Sequence, residues 1–389
     1  MAMIRLIILL TLFSCEATNS ETKSISTNEN KGFNQRIKLQ ISSRVDTSNV
    51  DIKEVLNLYE NYINSNPDSI YNNPYWNDKE KEKYNDFDFS RMSIYFGISS
   101  TQLFRIYDPF VLSVEPINDK YQIRILYSNT ANEPPYVGSK VWCIHMLNVI
   151  KENRNWKLEN LIGEETKNWN KKRIDFIEYV YPNEYLFDEK KAKKAISFCN
   201  SIIERFNQGF DSQFRFYIAN GIDEMGKLEN FDYYFTTITT GKAREGMILS
   251  SKKDEFYPHE FIHKLLPENE NRGPVIEEGV ATFLGTKEDL SKYLSVMKKL
   301  ANDYNNVETY SLKNVLNNQT KWNSYPVAYP GGALICEVIH EKKGDEGINK
   351  LIRGKTNNYD EIMELTMNIL NVDKNELIRS IEKKIREYQ

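Results

Sequence analysis

Residues 257–267 read YPHEFIHKLLP, and this stretch uses two of the four histidines in the whole chain, His145, His259, His263 and His340. His259 and His263 stand four apart, with Glu260 directly after the first. On a helix, that spacing puts both imidazoles on one face a turn apart, where they can aim at a single point. Glu260 sits one residue further round, near enough to reach a water held at that point without ligating the ion itself. The pattern predicts a helix that offers His259 and His263 to a zinc ion and Glu260 as the general base of a hydrolysis. The competing structural reading is an amphipathic surface helix that happens to carry two histidines. Pro258 sets a further condition, because proline is free of cost only in a helix's first turn.

A third ligand is needed, and GPVIEEGVATFLG (273–285) is where to seek it. Leu266-Pro267 ends the first helix, ENENRG (268–273) turns the chain, and Pro274 is placed to open a second helix. Glu277 and Glu278 then fall in its first turn about 100° apart, so only one of them faces the metal. Gly279 follows, and a residue without Cβ lets a neighbouring helix come close.

With these residues the sequence resembles the gluzincin metallopeptidases, whose third ligand is the glutamate of an Asn-Glu-Gly-Phe-Ala-like segment. Glu277-Glu278-Gly279-Val280-Ala281 matches that register. The resemblance spans about residues 190–370 and implies Zn2+ held by His259, His263 and Glu278, with Glu260 as general base and a peptide or protein as substrate. In SYPVAYPGGALICEVIHEKKGDEGINKLI (324–352) it implies that Tyr329 donates to the developing oxyanion, with Tyr325 as the competitor. It also matches GKAREGMILSS (241–251) to the edge strand on which such enzymes lay an extended peptide. Aminopeptidases of the family carry Gly-x-Met-Glu-Asn there. This chain has Gly246-Met247-Ile248-Leu249 instead, which argues against an aminopeptidase. Thr282, four residues beyond Glu278, is placed to hydrogen-bond that ligand.

The remaining chain bounds this reading. At 389 residues, two domains are expected. A net charge of −4 provides no basic field, so no nucleic-acid partner is expected. The first fifteen residues, MAMIRLIILLTLFSC, hold one cation and then an apolar run too short to span a bilayer, as in a secretory leader. Leu12-Phe13-Ser14-Cys15 resembles a bacterial lipobox. That resemblance implies a lipidated Cys15 and an exported protein anchored to a membrane of the cell envelope, an ordinary cleaved leader and a secreted protein being the alternative. Residues 16–32 are polar and aperiodic, as in a flexible tether. Cys143, Cys199 and Cys336 sit in apolar contexts without a C-x-x-C pair and are read as three buried thiols.

Overall, an α+β protein is expected. Residues 33–168 open with helical spacing at 51–65, pass through a charged loop at 77–88 (NDKEKEKYNDFD), and continue as a meander whose last turn lies in KENR (151–154). That order resembles the cone-shaped NTF2-like fold. His145 lies on one of its apolar strands and is read as a core histidine, and His340 is read as a surface or capping residue. Residues 169–187 are expected as a connector. Residues 188–389 are expected as the zincin-like domain, a small mixed sheet with strands near 214–219, 233–240 and 246–251 followed by a helical half. The alternative from a different class is a pseudoenzyme, a non-catalytic envelope lipoprotein that binds or scaffolds.

Overall fold

The apolar spacing near residue 51 forms the helix Val50–Ile63, capped where Asn49 Oδ1 accepts from the Ile52 N–H, and Val55, Leu56, Tyr59, Tyr62 and Ile63 are buried. The computed structural model describes residues 36–65, 73–84, 86–90, 107–129, 140–234, 240–306, 311–317 and 328–389. The leader with Cys15, the tether and Tyr325 lie outside the described residues. Among the described residues no helix is long and apolar enough to cross a membrane.

The protein is α+β, with two sheets among the described residues. In the first, Asp108–Ile117, Lys120–Ser128, Val141–Glu152 and Asn155–Glu159 run antiparallel in chain order, and Gln40–Ile41 adds a parallel edge. The last hairpin turns on Asn153 and Arg154 at φ 48° and 69°, the positive values that match a two-residue loop to strand twist. His145 is fully buried in this sheet. Its Nδ1 meets Tyr59 Oη and its Nε2 meets Ser90 Oγ, each at 2.8 Å. Burial pushes its pKa down to about 3, so it is a neutral, hydrogen-bonded core residue.

The second sheet has Met247–Ser250, Phe214–Ile218 and Ile177–Tyr181 parallel at its centre, with Gly241–Arg244 and Asn170–Ile174 as antiparallel edges. Both faces are covered, which is why its strands read as nearly continuous apolar runs. Tyr179, Phe216 and Ile248 enter the core shared with the helical half, whereas Val180, Tyr217 and Leu249 enter the core beneath the first sheet. The period-2 alternation of side chains thus joins the two cores through one sheet. Cys143, Cys199 and Cys336 are buried free thiols.

Three expectations need correction. The stretch 169–187 is not a bare connector, because Asn170–Ile174 and Ile177–Tyr181 form a hairpin of the second sheet. The strand near 233–240 begins earlier, and its described part, Phe231–Tyr234, pairs with Cys143, Ile144 and His145 of the first sheet, while residues 235–239 lie outside the described residues. Strand composition cannot say which sheet supplies the partner.

The third correction concerns the charged run at 77–88, which holds the helix Asp78–Lys83, started by Asn77 Oδ1 accepting from the Glu80 N–H. Glu80 turns inward and accepts from Asn160 N (3.0 Å) and Asn160 Nδ2 (2.7 Å). Burial outweighs those donors and pushes its carboxyl up to about 7. With a folded pKa above the ordinary 4.5, the native state holds the extra proton, so stability is lost as pH rises from 4.5 through about 7. Glu80→Gln is therefore expected to be the more stable protein at pH 8, by on the order of 2 kcal/mol, and close to wild type at pH 5. Urea unfolding at the two pH values measures this, and an equal or larger gain at pH 5 refutes it.

Candidate metal centre

Pro258 occupies the first turn of the helix Pro258–Leu265, so its missing N–H costs nothing. Pro274 does the same for Pro274–Val280. The two helices carry His259, Glu260 and His263 on one side and Glu277 and Glu278 on the other.

His259 Nε2 lies 3.3 Å from His263 Nε2, and Glu278 Oε2 is 3.2 Å from the first and 3.5 Å from the second. All three ligand atoms fall within 4.8 Å of one another. Two ring nitrogens that face each other compete unless a cation sits between them, so the donor set fits a divalent metal. The outer nitrogens are also accounted for. His263 Nδ1 donates to Glu277 Oε1 at 3.0 Å, and His259 Nδ1 donates to Thr286 Oγ1 at 3.2 Å. Those two bonds leave both Nε2 lone pairs for an ion.

The electrostatics agree. Burial alone would raise the Glu278 carboxyl, but His263 and then His259 hold it well below the usual carboxylate range. Glu277 is held at about 2 by Arg272 and His263 against the same effect of burial. Burial would lower the His263 pKa, yet Glu278 and Glu277 raise it well above its ordinary value. The cluster therefore attracts positive charge strongly, and metal binding would displace a proton from it.

Close helix contacts set this geometry. A Cβ on Gly332 would stand 2.6 Å from Gly279 Cα and collide with the Val275 carbonyl. This contact presses the start of the Ala328–Arg353 helix onto the Glu278 helix. Tyr329, one turn before it, stacks on His259 at 5.3 Å between centroids and 17° between planes. Its hydroxyl engages Glu278, and burial followed by Glu278 holds the phenol pKa well above its ordinary value, so it remains a proton donor. Glu260 is buried, and a Cβ at Gly241 would lie 2.8 Å from its Oε1, so the edge strand Gly241–Arg244 runs directly beside it.

No protein-family model matches the chain, and no curated protein matches it. Among solved structures, Legionella pneumophila aminopeptidase A in complex with aspartic acid matches at a TM-score of 0.34 and 13% identity, over 71% of this chain and 34% of that one. That likeness is too distant to carry an argument, and the chain spans about a third of that protein's length.

The structure brings His259, His263, Glu278, Glu260 and Tyr329 to one place and leaves His145 and His340 elsewhere. His340 is half-exposed, 3.5 Å from Asp345. Thr282 does not bond Glu278. Its Oγ1 is buried without a hydrogen-bond partner among the described residues, where Ala281–Gly285 forms a π-turn that breaks the four-residue register. The same turn brings Gly285 against the His259 backbone and Thr286 onto His259 Nδ1. Sequence reasoning also missed Glu277 as the partner of His263, and Arg272, which is bonded to Glu277, Pro267 O and Ile352 O. A second acid beside the ligand and an arginine in the loop before it were the available signals.

Proposed function

We propose that this chain is a zinc-dependent hydrolase of peptide bonds with the gluzincin arrangement, acting as other than an aminopeptidase. The observation that carries the reading is the convergence of His259, His263 and Glu278, with a buried Glu260 on the same helical turn as the first ligand. Zinc bound there supplies Lewis acidity, polarising a carbonyl and lowering the pKa of a water to about 7. Glu260 would take a proton from the water attacking the scissile carbonyl carbon and return it to the departing amine as the C–N bond breaks. Tyr329 donates its phenol proton in a hydrogen bond to the carbonyl oxygen as charge builds there. The edge strand Gly241–Arg244 offers backbone groups to an extended substrate beside Glu260. With the leader read as a lipoprotein signal, this chemistry takes place in the cell envelope, with Cys15 as the membrane anchor.

The test is metal analysis with hydrolysis of a mixed peptide library by wild type and Glu260→Gln. One zinc per chain in both proteins is expected, with cleavage by wild type and a loss of about a thousandfold or more in the variant, since the proton transfer has no other base. Zinc without cleavage in either protein would support the non-catalytic scaffold instead.

A further inference from the structure

Lys252 lies over the face of Tyr257, its ammonium 3.3 Å from the ring centroid. Tyr257 is the N-cap of the metal helix, and its hydroxyl pairs with Thr240 Oγ1 at 2.9 Å while its side chain also engages Glu260. Lys292 approaches the same place from the first turn of the Leu290–Asn306 helix and engages the Lys252 side chain. Two ammonium groups thus meet beside the proposed general base.

Among the described residues neither forms an ion pair with a carboxylate, although Glu260 and, less strongly, Asp254 lie near enough to favour the Lys252 charge. Asp254 pairs with Lys191 at 2.8 Å, and Asp289 Oδ1 accepts from the Lys292 backbone N–H at 3.2 Å. Glu277 is bonded to Arg272 and His263, and Glu278 to the two histidines. Asp289 caps the helix that carries Lys292, and the first turn itself contains no further acid. Burial, reinforced by Lys292, lowers the Lys252 ammonium pKa to about 8. A cation held against another cation in a partly dry place is the arrangement that an incoming anion relieves.

We propose that Lys252 and Lys292 clamp a carboxylate of the substrate, so that the site prefers peptides presenting a negative group on the Tyr257 side of the scissile bond. The substrate class rests on the peptidase reading above. The carboxylate comes either from a free C-terminus or from an Asp or Glu side chain, and the test separates the two.

The zinc-loaded full chain carrying Glu260→Gln binds substrate without turnover. Calorimetry on it compares acetyl-tetraalanine as free acid and as amide, then amidated acetyl-tetraalanine with glutamate or glutamine placed at each position in turn. The carboxylate form is expected to bind about tenfold tighter or more in one of the two arms, which identifies the source. That ratio is expected to collapse toward one when Lys252→Met and Lys292→Met are added, and to persist with Lys252→Arg. Equal binding of charged and neutral forms, absence of binding by all peptides, or a preference that survives the double substitution overturns the clamp. Hydrolysis by wild type without charge preference removes the clamp and keeps the peptidase. Charge-selective binding without wild-type hydrolysis does the reverse.

Discussion

Glu278→Ala is expected to leave the chain without stoichiometric zinc and without hydrolysis. Glu278 is the only anionic member of the donor set, with Oε2 at 3.2 and 3.5 Å from the two imidazole nitrogens. Removing it leaves two neutral ligands on one short helix, too few for a closed or catalytic zinc site. It also removes the acceptor that positions the Tyr329 hydroxyl. Glu277→Gln provides the contrast. The amide oxygen still accepts from His263 Nδ1, so the ring stays oriented, but the negative charge behind it is gone. Metal affinity should fall about 10- to 100-fold without being abolished. Competition with a chromophoric chelator, followed by metal analysis after dialysis, ranks the three proteins. Wild-type affinity in Glu278→Ala would remove the centre as described.

Gly332→Ala is the second large effect, and its sign runs against helix propensity. In an ordinary helix interior, alanine in place of glycine is favourable by about 1 kcal/mol. Here the new methyl would meet Gly279 Cα at 2.6 Å and the Val275 carbonyl oxygen, both backbone atoms of the Glu278 helix that cannot rotate away. The helices must separate, at a cost of about 3 kcal/mol in stability. Tyr329 lies one turn from the contact, so its hydroxyl leaves Glu278, and a displacement near 1 Å is worth about 100-fold in rate. Gly163→Ala is the control, since among the described residues nothing lies within 4 Å of a Cβ there, and it should stay within about 0.5 kcal/mol of wild type. Urea unfolding and peptide hydrolysis on the three proteins check the pair. A Gly332→Ala protein as stable and active as wild type would show that the helix contact does not set the site.

Local sequence rules were reliable wherever the deciding contacts were local. The prolines at helix starts and the turn within KENR (151–154) fall where residue chemistry puts them. They failed for the charged run at 77–88, where a lone inward Glu80 is held by Asn160, far along the chain. They failed again at Thr282, because a π-turn is invisible to a four-residue count.

The sequence by itself determined the α+β class, the helix that presents His259, Glu260 and His263 on one turn, and the pair Glu277-Glu278 as the source of a third ligand. Spacing along one helix is a covalent property, so no folding information is needed to read it. Only the tertiary structure decided that the two helices meet, that Glu277 and Thr286 orient the rings, and that Lys252 and Lys292 stand together beside Glu260. Those facts depend on contacts between segments far apart in the chain, which close packing at Gly279 and Gly332 brings together and which no local pattern encodes.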